Sequence, residues 1–441
     1  MSSRNPLIEK RNLLTFVLIT SLFALWGFAN DITNPLVSAF QTIMEISAAK
    51  ASLIQFAFYG GYATMALPAA LFVKRYSYKK GILLGLALYA AGAFLFIPAA
   101  TYQQFGFFLL SLYILTFGLA FLETTANPYI YSLGDPETAT RRLNLAQAFN
   151  PVGSLLGMFV SSSVILSMLE SDAPALRNGG FRQLGESARA LIRQHDLEVI
   201  RNPYVALGCV VMLLFVLISL LVKDDAPRNV PVQAGADAES EPTYAESFRR
   251  LWAQPGYREG VLTQVFYVAA QIMCWTFIIQ YAERLGLSKS TAQLYNICAM
   301  GLNLAGRFFC TLLMHYVNSR KLLTIFGLCA MSTMAGTILI DGMGGLYCLV
   351  LTSAFMSLMF PTIYGIALED VRRDTTLGAA FLVMAIVGGA LMPPLQGAII
   401  DLGTVWGFPA VNVSFILPFF CFCAVALYGY RSVRRGRAAV S

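Results

Sequence analysis

Twelve stretches of about 20 residues, each dominated by apolar side chains, recur along the chain and constrain its fold more than any other feature. A helix of that length crosses the roughly 30 Å of bilayer hydrocarbon. Only helices or closed barrels satisfy every backbone N–H and C=O in that medium. Reading the windows as helices places them near residues 12–41, 49–74, 79–99, 104–132, 140–169, 202–223, 257–284, 288–315, 320–340, 344–369, 375–402 and 408–431. Only 12% of residues are charged and 57% are hydrophobic, against roughly 25% charged in a soluble domain. The expected fold class is an all-α membrane protein. Two long polar stretches, 170–201 and 224–256, interrupt the pattern, and the second divides the helices six and six. Residues 1–223 are therefore expected to form an N-terminal six-helix bundle, 224–256 a cytoplasmic linker, and 257–441 a C-terminal six-helix bundle.

Orientation follows from Lys and Arg. With the N-terminus inside, the short inner segments hold three in 4–11, four in 74–80, two each at 141–142, 320–321 and 372–373, and four in 431–437; the short outer segments hold Lys50, Arg284 and Lys289. This bias puts both termini and the linker in the cytoplasm. It also accounts for the net charge of +7, so the lipid bilayer is the expected partner and nucleic acid is not. The first apolar run, 13–29, continues into Asp31 and Pro35 without a small-residue cleavage site, so it is expected to remain as the first membrane helix. Segment 170–201 suits a solvated amphipathic helix, and its His195 reads as a surface residue. All eight cysteines lie in apolar runs without a CxxC pair and read as small buried hydrophobes.

The halves echo each other. Gly60 lies 19 residues before Lys79 as Gly301 does before Arg320, an offset of 241, and NPYIY (127–131) matches FPTIY (360–364) at an offset of 233. Two repeated halves with a site between them at mid-membrane are a recurrent transporter plan.

Of 24 acidic residues, only Asp31 and Glu123 sit deep inside apolar runs. A charge at mid-membrane costs about 3 to 10 kcal/mol or more, so it persists where water, a partner or a substrate reaches it. In FALWGFANDITNP (23–35), Trp26, Asn30 and Asn34 share one helical face with Asp31 beside them, and Pro35 frees the carbonyl of Asp31. In LETTANP, Pro128 frees the carbonyl of Thr124 next to Glu123, with Asn127 one turn on. In NLAQAFNP, Pro151 frees the carbonyl of Gln147, flanked by Asn144 and Asn150. These three helices point to a hydrophilic cavity. Helical rise places Asp31 toward the outside and Glu123 toward the cytoplasm, roughly 10 Å apart in depth. Glu123 is the first candidate proton carrier; Asp31, with amides about it, can bind hydroxyls and is the second candidate for proton coupling. Each carboxylate has a bland alternative as a cap on freed backbone or a partner of an Arg.

The C-terminal half offers Gln271, Trp275, Gln280, Asn296, Asn303, Phe360, Tyr364 and Gln396, amides and rings suited to the hydroxyls and apolar face of a sugar. Its one deep charge, Arg307, either forms a conformational latch with an inner acid such as Glu369 or Asp370 or faces the cavity. His315 reads as interfacial.

The runs FALWGFAND, FLETTANPYIYSLG, RRLNLAQAFNPVGSLLG, AFMSLMFPTIY and KRYSYKKGILLG resemble those of the L-fucose:proton symporters of the major facilitator superfamily, over nearly the whole chain. The resemblance implies the major facilitator fold, with 12 transmembrane helices in two six-helix halves and alternating access, and uptake of a 6-deoxyhexose or related sugar with a proton. By matching position, it makes Glu123 the proton-handling carboxylate, lets Gln147 and Asn150 face the sugar, and gives Trp275 the place of a family aromatic. In the enteric permeases the helix-one acid matches Asn34 here, while Asp31 falls where they have an amide. Phe360 replaces a tyrosine, and the basic turn lacks the acid common in the superfamily's inner loop.

The leading expectation is a proton-coupled importer of L-fucose or a related monosaccharide, a monomer that crosses the bacterial inner membrane many times. Alternatives are a carrier of glucose or galactose, possible Na⁺ coupling, and a drug exporter of the same fold. An enzyme is disfavoured by the absence of GxSxG, HExxH and clustered carboxylates. A channel is disfavoured for want of a filter-like ring. No Walker A motif is present, and no cofactor or metal is expected.

Overall fold

A computed structural model describes residues 8, 10–134, 142, 145–147, 149–176, 180–222, 244–313, 316–369, 371, 375–405 and 407–438. Its long helices, among the described residues, are α1 (Leu13–Ile43), α2 (Ala48–Val73), α3 (Tyr78–Tyr102), α4 (Phe105–Asn127), α5 (Leu145–Met168), α6 (Glu186–Leu221), α7 (Pro255–Arg284), α8 (Lys289–Leu313), α9 (Ser319–Leu339), α10 (Met343–Glu369), α11 (Phe381–Ile400) and α12 (Ala410–Arg435). Eleven of these are both long and apolar enough to cross a membrane. The other, α8, has the length, with 25 residues, but carries Lys289, Gln293, Asn296, Asn303 and Arg307. The first four of these are buried, so the polar side of α8 faces protein, not lipid.

Proline and glycine shape the helices as the sequence suggests. The hydrogen-bonded run of α1 stops at Thr33 and resumes at Leu36, with Asn34 and Pro35 between, because Pro35 has no N–H to return to Asp31. Sixteen residues of the polar stretch 170–201 belong to α6, which runs unbroken for 36 residues with Pro203 inside it. Its length, about 54 Å, exceeds the hydrocarbon thickness, so its first turns stand beyond the membrane. Those turns are held from the side: Asp196, fully buried, accepts the backbone N–H groups of Glu170 (2.8 Å) and Ser171 (3.0 Å), and Arg193 Nε donates to the Ile43 carbonyl at the end of α1 (2.9 Å).

The chain forms two compact units. One comprises residues 1–44 and 60–233, the other residues 45–59 and 234–441. In the first, α1 packs on α5 and α3 on α4. The α1–α5 seam is backbone against backbone: a Cβ on Gly153 would lie 1.8 Å from the Ala24 oxygen, and one on Gly27 would lie 2.1 Å from the Asn150 oxygen. Small residues permit that approach, the usual way helices associate where lipid removes the hydrophobic drive. In the second unit α7 is buried along most of its length and touches α8, α10, α11 and α12. Large apolar side chains such as Phe159, Leu213, Leu220 and Phe420 are exposed, as lipid-facing positions should be.

Candidate functional site

In the first unit the α1–α5 seam builds the surroundings of Asp31. The Asp31 carboxylate is 1% exposed and receives hydrogen bonds from Asn30 and Asn34 on its own helix and from Ser154 on α5; the Asn34 Nδ2 lies 3.3 Å from Oδ1. The acid and the amide three residues on are thus bonded to one another. Asn150 Nδ2 donates to the Phe23 carbonyl at 3.3 Å, stitching α5 to α1. Trp26 and Asn30 are half-buried, whereas Asn34 is buried. Behind the pair, Thr33 bonds the Tyr204 hydroxyl at 2.9 Å.

Glu123 belongs to a second cluster, on α4 and α5. Asn127 Nδ2 donates to the Glu123 carbonyl (3.0 Å), and Gln147 Nε2 donates to Asn127 Oδ1 (3.0 Å). The backbone of Glu123 is therefore well held, while its Oε2 is buried with no hydrogen-bond partner among the described residues. An oxygen so placed is open to a proton or to a ligand hydroxyl. The chain that brings Gln147 to this cluster brings Ser154 to the other, seven residues and roughly 10 Å further along α5. The two clusters share α5 without sharing a partner.

The second unit gathers amides and rings. Trp275 is buried, its Nε1 donating to Ser353 Oγ (3.2 Å), and Asn303 Nδ2 donates to the Ser353 carbonyl (3.1 Å). Asn296 Nδ2 donates to the Trp275 carbonyl (3.3 Å). Gln280 is buried, and neither of its amide atoms has a partner among the described residues. Phe360 and Tyr364 lie with rings nearly parallel, centroids 6.4 Å apart, and Tyr267 meets Phe360 edge-on at 6.3 Å. Arg307 lies near Tyr267 and shares with Cys310, Ser357, Thr362 and Glu369 the wall of a cavity of ≈ 380 Å³. Glu369, one of the acids considered for Arg307, is bonded to Arg320 at 2.5 Å. Asn144, His315 and Asp370 lie outside the described residues.

Ser154 and Ser353 were not singled out by sequence. Ser154 carries a signal in its spacing, four residues after Asn150 and seven after Gln147, on one helical face; Ser353 carries none. Among the described residues no group of three or more His, Cys, Asp or Glu could hold a metal ion.

The Major Facilitator Superfamily profile matches residues 17–393. The L-fucose-proton symporter of Haemophilus influenzae is 60% identical over 96% of this chain and 98% of its own length, and that of Escherichia coli is 34% identical over 94% and 92%. A glucose/galactose transporter of Brucella abortus is 30% identical over 93% and 92%. The crystal structure of the transporter FucP in the outward conformation matches with a TM-score of 0.67 at 32% identity, over 96% of this chain and 99% of that one. With the twelve helices and the matched motifs of α1, α4 and α5, these likenesses make the chain a member of the L-fucose–proton symporter family of the major facilitator superfamily.

Proposed function

We propose that the protein imports L-fucose together with a proton by alternating access, as a monomer in the bacterial inner membrane with both termini and the 224–256 linker cytoplasmic. The observation that carries this reading is likeness along almost the whole chain, at 60% and 34% identity, to two transporters named L-fucose-proton symporters. In this reading Glu123 is the proton-coupling carboxylate, its buried Oε2 free of any hydrogen-bond partner among the described residues. Asp31, Asn30, Asn34, Trp26, Asn127, Gln147 and Asn150 bind the hydroxyl side of the sugar. Trp275 and Phe360 offer aromatic faces to its apolar side, and Arg307 serves as a conformational latch. The positive-inside bias of the loops supports the orientation.

A second reading, transport of glucose or galactose, is favoured by the Brucella relative and by Phe360, which cannot offer the hydroxyl of a tyrosine. Uptake of a labelled sugar panel by proteoliposomes, with and without an imposed pH gradient, separates the two. The expected result is L-fucose accumulation that follows the pH gradient and is indifferent to Na⁺. Accumulation of glucose or galactose in preference to L-fucose overturns the assignment.

A further inference from the structure

We infer that Ser154 is the positioning residue that aims Asp31 at the sugar, acting through the carboxylate without touching the ligand. The inference rests on the reading of Asp31 as a sugar-binding group. Among the described residues, the carboxylate has three side-chain partners, and two of them, Asn30 and Asn34, stand on its own helix. Those two move with α1 and cannot fix where the carboxylate points relative to α5. Ser154 can, because it reaches across the seam.

The seam leaves Ser154 little freedom. A Cβ on Gly27 would lie 2.8 Å from the Ser154 nitrogen and 2.9 Å from its Oγ, and a Cβ on Gly157 would lie 2.6 Å from the Phe28 oxygen. The glycines on either side of Ser154, at 153 and 157, thus press α5 onto the α1 backbone, and the Ser154 side chain is held where they meet. A helical serine commonly donates to its own carbonyl four residues back; here the hydroxyl has a carboxylate of another helix within hydrogen-bonding reach. The adjacent cross-helix contact, Asn150 to the Phe23 carbonyl, holds backbone and leaves Asp31 to Ser154.

The test is a double-mutant cycle on the full-length transporter in proteoliposomes, read as the half-saturating L-fucose concentration and maximal rate of counterflow. Ser154→Ala is expected to raise the half-saturating concentration about tenfold, the scale of one hydrogen bond to a charged group, with the maximal rate changed by less than about twofold. In the Asp31→Asn background, Ser154→Ala should add nothing, because the group it positions is gone. A seam loosened by Ser154→Ala would instead lower the maximal rate and the melting temperature in both backgrounds, and that result overturns the inference. Independent, multiplying effects on affinity overturn it too while leaving Asp31 as a ligand. An Asp31→Asn variant with intact binding removes the reading of Asp31 and the inference with it.

Discussion

The residues that define the site differ in what a substitution would reveal. Glu123→Gln keeps the shape and the backbone contacts of Asn127 and Gln147 but cannot cycle a proton, so counterflow exchange should persist while pH-driven accumulation disappears. Vesicle uptake with an imposed gradient checks this, and unchanged accumulation would remove Glu123 from coupling. Asp31→Asn retains the geometry and loses a charge, so sugar binding should weaken by about 1.5 to 3 kcal/mol, read as the half-saturating concentration for exchange. The burial of both carboxylates was legible in sequence, because each acid lies inside a long apolar run. Ser154 was not legible as a partner, since a serine in a membrane helix is common and its meaning depends on which helix lies opposite. Lys289, expected in a short outer segment, is in fact buried and paired with Glu283; sequence shows the charge but not the neighbour. Lys289→Met removes one partner of Glu283 and should lower the melting temperature in detergent, whereas Lys289→Met with Glu283→Leu should recover part of the loss. Outside the membrane spans, Asp341 is held below its ordinary value of 3.8, first by the Gly342 N–H and then by Arg284, 2.9 Å away. A depressed carboxylate contributes fully above its unfolded value and loses that contribution as pH falls through the folded one. Asp341 therefore adds no pH dependence near neutrality, where transport is to be measured.

At the scale of elements, helix count and most boundaries follow from the physics of lipid, which imposes length and apolarity on each crossing segment. Two elements, the start of α6 and the whole of α8, depart from that rule for identifiable reasons. The start of α6 is polar because it lies beyond the hydrocarbon, and nothing in an amphipathic stretch says whether it is continuous with the apolar helix after it. The polar stripe of α8 faces protein, so its composition reports its neighbours and not the bilayer. Contacts between helices were the least legible, because glycine spacing is frequent in membrane helices and only the partner shows which spacing is used. Gly153→Ala tests the seam directly. Its Cβ would meet the Ala24 oxygen at 1.8 Å, a collision with backbone that a side-chain rotation cannot relieve. We expect about 1 to 3 kcal/mol of destabilisation and loss of sugar binding, because Asp31 and Ser154 would part. Gly301 has open space where a Cβ would go, and Gly301→Ala should melt at or slightly above the wild-type temperature.

At the scale of the whole molecule, the linker suggested a six-plus-six division, but the extent of the compact units was not legible in sequence. Residues 45–59 precede the linker by far in sequence and yet group with 234–441. The chemistry of that grouping is local. Asp401, at the end of α11, accepts the N–H groups of Ala48 (2.6 Å) and Ala49 (2.9 Å), satisfying two of the donors that a helix start leaves open. Gly397 permits it, since a Cβ there would lie 2.7 Å from the Ala48 and Ala49 backbone. Gln55 Nε2 adds a bond to Thr276 Oγ1 on α7 at 3.0 Å. A fragment comprising 234–441 alone lacks these partners, leaving the Asp401 carboxylate without its two donors and the backbone surface at Gly397 uncovered. Each such bond to a charged group is worth about 1.5 to 3 kcal/mol, so the fragment should melt well below the same fragment co-expressed with 1–233. Asp401→Asn in the intact chain should reproduce part of that loss. Thermal unfolding of the three purified samples in one detergent decides the matter: equal melting of the lone and co-expressed fragments would mean that 45–59 contributes nothing to the second unit, and that the boundary lies at the linker alone.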